Sequence, residues 1–150
     1  MKEVMMPDIS DISKPVRELY EAINRRDLNA FDQFVSEQIE YTEFGLNETV
    51  RGREAYKNYF QNWWKAFPKG KVEIKNLIVS NDQVVIEAEG GGVRSGSFEV
   101  EGQKTEPSEQ TENFHFCKIF RIENGRIVNG RSYSDSYKLL GILSKERRAA

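Results

Sequence analysis

The chain carries a single cysteine, Cys117, so no disulfide closes within it. Free thiols suit a reducing compartment, and a cytoplasmic location is the expectation. One histidine, His115, beside that one cysteine leaves too few ligands for a zinc site, which draws three or four side chains mostly from these types. No apolar run approaches the roughly 20 residues of a membrane-spanning helix. Met1 to Pro7 lack the apolar stretch of a secretory leader, so no membrane partner is expected. A surplus of one charge is also missing. Twenty-two basic residues stand against 24 acidic ones, a net charge of −2, which is no electrostatic footprint for nucleic acid. Gly90-Gly91-Gly92 is followed by neither Lys-Ser/Thr nor a helix and is not a phosphate loop. Internal repeats and low-complexity tracts are absent too. What remains is 38% hydrophobic and 11% aromatic, too apolar for a disordered chain. Its 150 residues and 17.4 kDa fit one domain.

Hydrophobic periodicity divides the chain. Residues 1 to 12 have none and read as a flexible arm. Ser13 can cap a helix, Pro15 suits its first turn, and Val16, Leu19, Tyr20 and Ile23 form one apolar stripe at helical spacing. Asp27 can cap a second, shorter helix over Leu28, Phe31, Phe34 and Val35. Ile39 to Phe44 reads as a short strand and Gly45 to Gly52 as a loop. Arg53 to Phe67 is the clearest helix, with Tyr56, Tyr59, Phe60, Trp63, Trp64 and Phe67 at a period near 3.6, stopped by Pro68 and Gly70. Beyond it the period falls to 2. Val72 to Val79 and Gln83 to Glu89 flank the turn Asn81-Asp82, and the three glycines after them imply a bulge or sharp bend. Residues 94 to 110 are polar and turn-rich. Thr111 to Ile122 and Arg126 to Ser136 form the strongest hairpin, joined through Asn124-Gly125. Tyr137 to Leu143 predicts a last short helix, and residues 144 to 150 a charged tail. Helices ahead of an antiparallel sheet mean an α+β fold, a single domain over 13–143.

That order, with several local motifs, resembles the SnoaL-like polyketide cyclases within the superfamily of nuclear transport factor 2 and ketosteroid isomerase. The motifs are Val16 to Arg26 followed by Asp27-Leu28, Val50-Arg51-Gly52-Arg53-Glu54-Ala55, Ala66-Phe67-Pro68, Phe120 to Val128, and Ser134 to Gly141. They span most of residues 16 to 143. The resemblance implies a cone: N-terminal helices on a curved, mainly antiparallel sheet that encloses a pocket. Such folds host cyclases, isomerases, dehydratases, hydrolases and binding domains, so fold alone does not name the chemistry.

Counting back from Asn124-Gly125 as a two-residue turn sets Phe114 opposite Asp135, Phe116 opposite Tyr133, and Lys118 opposite Arg131. Phe114, Phe116, Tyr133, Asp135 and Tyr137 then share one face, which we expect to look into the cone. An Asp among aromatics should resist ionisation, as a general acid or base near neutral pH requires. In the cyclases that the chain resembles, an Asp in this region deprotonates carbon for an aldol ring closure, without metal or organic cofactor. By position that residue is Asp135. It is also a good cap for the expected last helix, where it would fix the strand-to-helix turn. Tyr41 and Glu43 alternate on the first strand; with Tyr133 they could supply a hydrogen-bond donor for an enolate or a second carboxylate. Tyr59 and Trp63 belong to the long helix, as core or as a flat wall for a planar ligand. The candidate site is therefore Asp135, Tyr133 and Tyr41 for catalysis, with Glu43, Tyr59, Trp63, Phe114, Phe116 and Tyr137 for ligand binding. His115 points the other way and suits a surface or interface.

Three functions follow: a cofactor-independent cyclase or isomerase acting on a polyketide- or steroid-like carbonyl compound, a non-catalytic binding domain, or a dehydratase or hydrolase of the same fold. The resemblance also implies a homodimer through the outer sheet face, where His115, Cys117, Ile119, Val128 and Ser132 are expected.

Overall fold

The computed structural model describes residues 9–100 and 103–135. The arm up to residue 8, the expected last helix with Tyr137, and the tail lie outside them. Helix α1 spans Ile9–Arg25. It begins a turn earlier than its sequence signal and runs through Pro15. Proline lacks the N–H for one helical bond, but Ile12 packs against the core and anchors the extra turn. The expected stripe is the buried one: Val16, Leu19, Tyr20 and Ile23 are each at most 3% exposed. Each such side chain contributes roughly 1.5–3 kcal/mol by leaving water. Arg26, at φ 63°, breaks the helix. Asp27 caps the following turn by accepting from the Ala30 N–H at 3.2 Å, and α2 is a single turn, Phe31–Phe34.

Strand β1, Val35–Glu43, starts four residues before the expected one, and the anticipated loop contains a strand, β2, Glu48–Arg51. Pairing decides this, since β2 lies antiparallel on β1 with Tyr41 opposite Val50. Helix α3, Arg53–Ala66, buries Tyr56 and Phe60. Strands β3, Lys71–Ser80, and β4, Gln83–Val93, form the expected hairpin. The glycines bend β4 without ending it. Gly91, at φ 136°, passes so close to the next strand that a Cβ there would lie 2.0 Å from the Glu112 carbonyl oxygen. A small hairpin follows, β5, Phe98–Val100, with β6, Gln103–Thr105. It is flanked by the buried Arg94, whose Nε donates to Glu112 at 3.0 Å and whose Nη1 donates to the Glu106 carbonyl.

Strands β7, Thr111–Glu123, and β8, Arg126–Ser134, close the fold. The sheet order is β2-β1-β8-β7-β4-β3, with β1 parallel to β8 and the other neighbours antiparallel. The helices cover one face, so the fold is α+β with a curved mixed sheet.

One expectation about this hairpin is corrected. The turn is as predicted, with Asn124 and Gly125 at positive φ and Glu123 opposite Arg126. But Ile122 pairs with Ile127 while Arg121 pairs with Asn129, leaving Val128 as an extra residue. This bulge shifts all later partners by one. Phe116 faces Ser134 instead of Tyr133, and Lys118 faces Ser132 instead of Arg131. Because side chains alternate, one residue exchanges the faces of the whole upper strand. Ser132, expected outside, is fully buried; Tyr133 and Asp135, expected inside, are exposed.

Candidate functional site

The inward residues of β7 are Phe114, Phe116, Lys118, Phe120 and Ile122, an alternating run with one charge in it. Across it, β8 presents Gly130, Ser132 and Ser134, and β1 presents Tyr41 beside Gly130 and Glu43 beside Ser132. Gly130 is needed here, since a Cβ would stand 2.8 Å from the Tyr41 ring. Phe60 and Tyr59 of α3 and Tyr20 of α1 close the space from above.

Lys118 is 6% exposed. Its Nζ stands 5.1 Å from the centroid of Phe116, 5.4 Å from Tyr41, 5.6 Å from Tyr20 and 6.0 Å from Phe60. Rings at such distances offer a cation their electron-rich faces. Burial pushes the Lys118 amine down to about 8, and the negative charge of Glu43 opposes that shift. Glu43 is 2% exposed; its Oε1 accepts from the Ser134 hydroxyl at 2.8 Å and the Gly45 N–H at 2.9 Å. The hydroxyls of Tyr20, Tyr56 and Ser132 are buried with no hydrogen-bond partner among the described residues. Burial, together with neighbouring Tyr and Glu43 charge, raises the phenol pKa of Tyr20, Tyr41 and Tyr59, so all three are neutral donors at physiological pH.

A cavity of about 70 Å³ opens from this cluster toward the far end of α3. Lys118, Phe116 and Tyr59 form its inner end; Trp63, Trp64, Phe67 and Phe114 form its walls; Gly70 to Val72 and Gly90-Gly91 form its rim. Arg26 shapes the rim. Its guanidinium donates to the carbonyls of Phe67, Pro68 and Gly70, at 3.2, 3.0 and 2.6 Å, and lies 5.2 Å from the Trp64 ring. Asn24 fixes the same corner, exchanging two hydrogen bonds of 2.8 and 2.9 Å with the Val72 backbone.

The candidate residues thus separate. Tyr59, Trp63, Phe114 and Phe116 line the cavity, and Tyr41 and Glu43 back its inner end. Tyr133 and Asp135 stand on the outside. Tyr133 stacks on Phe44 at 5.0 Å, and Asp135 donates its N–H to the His115 carbonyl. Both share a shallow outer cleft with His115 and Cys117. Tyr137 lies outside the described residues. Lys118 was not among the candidates, although the same alternation that turns Phe114 and Phe116 inward does so for Lys118 and marks a charge on an apolar face. Among the described residues, no three His, Cys, Asp or Glu side chains are grouped to hold a metal.

Residues 16–130 match the family model of the SnoaL-like domain. The chain belongs to that family. Several solved structures share the fold. A proposed SnoaL-like polyketide cyclase from Jannaschia sp. CCS1 is 19% identical with a TM-score of 0.80, over 95% of this chain and 98% of that one. IdmH, a proposed polyketide cyclase from Streptomyces antibioticus, is 22% identical with a TM-score of 0.72, over 89% and 98%. AclR, a proposed hydroxylase from Streptomyces galilaeus, is 22% identical with a TM-score of 0.74, over 92% and 83%. No curated protein matches this SnoaL-like chain. Proposed cyclases and a proposed hydroxylase on one backbone leave the chemistry to the residues in the cone.

Proposed function

We propose that this SnoaL-like domain takes an apolar, ring-bearing carbonyl compound into its cone and moves a proton at the carbon beside the carbonyl. The observation that carries this reading is a buried lysine at the inner end of a cavity walled by aromatic rings, with Arg26 and Lys71 only at its rim. An amine near 8 is matched to accepting a proton at physiological pH. The Tyr59 phenol, a neutral donor on the cavity wall, suits an oxyanion developing on the substrate. Glu43 acts through its charge on Lys118 and is a positioning residue. In this reading Asp135, exposed on the other face of the sheet, is not the acid or base. The chemistry is that of a cofactor-independent isomerase or cyclase.

The test is exchange of the α-hydrogens of a 2-tetralone probe in deuterated water, followed by proton NMR. Wild type and Asp135→Asn should exchange at equal rates, and Lys118→Met should lose on the order of 10²-fold or more, the usual worth of a positioned base. An intact rate in Lys118→Met, or its loss in Asp135→Asn, returns the role to the aspartate.

The small free volume favours a second reading, a cone filled by its own aromatics that binds without turnover. Binding of the ketone, read by tryptophan fluorescence, with no exchange would establish it.

We further propose a homodimer through the outer sheet face. Ile78, Val85 and Ile119 are neighbours in one cross-strand row there, and Phe44 and Tyr133 add a half-exposed aromatic stack.

A further inference from the structure

We propose that the Lys118 amine is also a nucleophile, condensing with an aldehyde or ketone seated in the cavity to form an imine. The inference rests on the proposed reading of the cavity as a site for apolar carbonyl compounds, and it names the covalent form the ligand takes there. Its basis is placement. Lys118 projects from the middle of a sheet strand, held between Phe116 and Phe120 on the same face, at the closed end of an apolar space. A carbonyl compound entering from the Trp63–Phe67 side meets the amine end-on. The rings that walls and roof bring to Nζ hold the attacking nitrogen in place.

The chemistry balances without an oxidant, reductant or cofactor. The nitrogen lone pair adds to the carbonyl carbon, and a proton moves from nitrogen to the carbonyl oxygen, giving a carbinolamine. Loss of one water leaves the imine, which water hydrolyses back to amine and carbonyl. Attack needs the neutral amine. At a value near 8, about a tenth of the lysine is neutral at pH 7, against on the order of one in a thousand or fewer for an exposed lysine at 10.5. The titratable and charged groups around the amine are Glu43 and Tyr41 on β1, Tyr20 on α1 and Tyr59 on α3, with Arg26 and Lys71 at the cavity rim. Glu43 favours the ammonium; burial opposes it more strongly. Protonated imine is again a cation, and the aromatic cage around the ammonium suits it equally. An iminium acidifies its neighbouring C–H bonds further than a carbonyl does, which connects the imine to proton transfer at carbon.

The experiment uses the full chain with 2-naphthaldehyde and sodium cyanoborohydride, which reduces an imine to a stable secondary amine. Intact mass and peptide mapping give the site, and tryptophan quenching gives non-covalent binding in parallel. One adduct is expected on Lys118, formed on the order of 10²-fold faster than on any exposed lysine at pH 7, as the difference between about 8 and 10.5 implies. The trapping rate should rise as pH approaches 8 and level off above it. Lys118→Arg should lose the adduct. Quenching with labelling no faster at Lys118 than at exposed lysines would overturn the imine and leave the carbonyl site standing. Absence of both would overturn the two together. Because the wild-type map carries the result, misfolding of a variant does not obscure it.

Discussion

Lys118 concentrates the cost of this interior. Its amine titrates near 8 in the folded protein and near 10.5 when exposed in the unfolded chain. Folding therefore opposes protonation, with a penalty of about 3 kcal/mol below pH 8. Between the two values the unfolded state binds more protons, so stability rises with pH from about 8 toward 10. Above 10 the buried tyrosines act in the opposite sense. Their folded values are raised, so the unfolded chain loses protons first and stability falls. Urea denaturation of wild type should show this rise between pH 8 and 9.5. Lys118→Met should be flat there and more stable at pH 7 by up to about 3 kcal/mol, since the penalty is gone and the volume is kept. A residue kept at such a cost in an apolar chamber is where function is expected. Alternation along Phe114-x-Phe116-x-Lys118-x-Phe120 made its inward direction legible. The rings of α1, α3 and β1 around it were not, because they are distant in sequence.

At the scale of the element, the Val128 bulge decides what the cone contains. The hairpin turn, the strand lengths and the inward face of β7 were all readable, because turn chemistry and two-residue alternation are local. A bulge is one surplus residue with no distinctive composition, and it exchanges Tyr133 and Asp135 for Ser132 and Ser134 on the inner face. Substitution tests that exchange. Ser132→Leu should overpack a fully buried position and cost roughly 1–3 kcal/mol. Tyr133→Ser, at a position 47% exposed, should cost about 1 kcal/mol or less, chiefly the stack on Phe44. An unbulged hairpin reverses that order, so chemical denaturation of the pair is decisive. Strand β2 was illegible for a related reason. Four residues with one apolar side chain, two half-buried and two exposed, carry little hydrophobic periodicity, and β1 supplies the pairing that makes them a strand.

Across the whole molecule, the two faces of one sheet have different tasks. The inner face, roofed by the helices, holds the cavity and the Lys118–Glu43 pair. Among the described residues no helix covers the outer face, and it carries Ile78, Val85, Ile119 and the Phe44–Tyr133 stack. A second copy of the chain would cover this apolar row by two-fold pairing. Sedimentation equilibrium at micromolar concentration should then give twice 17.4 kDa, and Ile119→Lys, which puts charges of like sign face to face across a two-fold axis, should shift the mass toward the single-chain value. A wild-type mass near 17.4 kDa refutes the pairing.

Local patterns alone determined α1 to α3, the four long strands β3, β4, β7 and β8, the α+β class, the buried stripes of α1 and α3, and the turns of the β3–β4 and β7–β8 hairpins, because helix and strand periods and turn residues are properties of neighbouring residues. Family motifs spread over residues 16–143 added the cone. Only tertiary structure decided which ionisable group stands inside it. That depended on a one-residue shift between β7 and β8, and on rings from α1, α3 and β1 converging on one nitrogen. Both are set by long-range pairing and packing, and no window of sequence contains them.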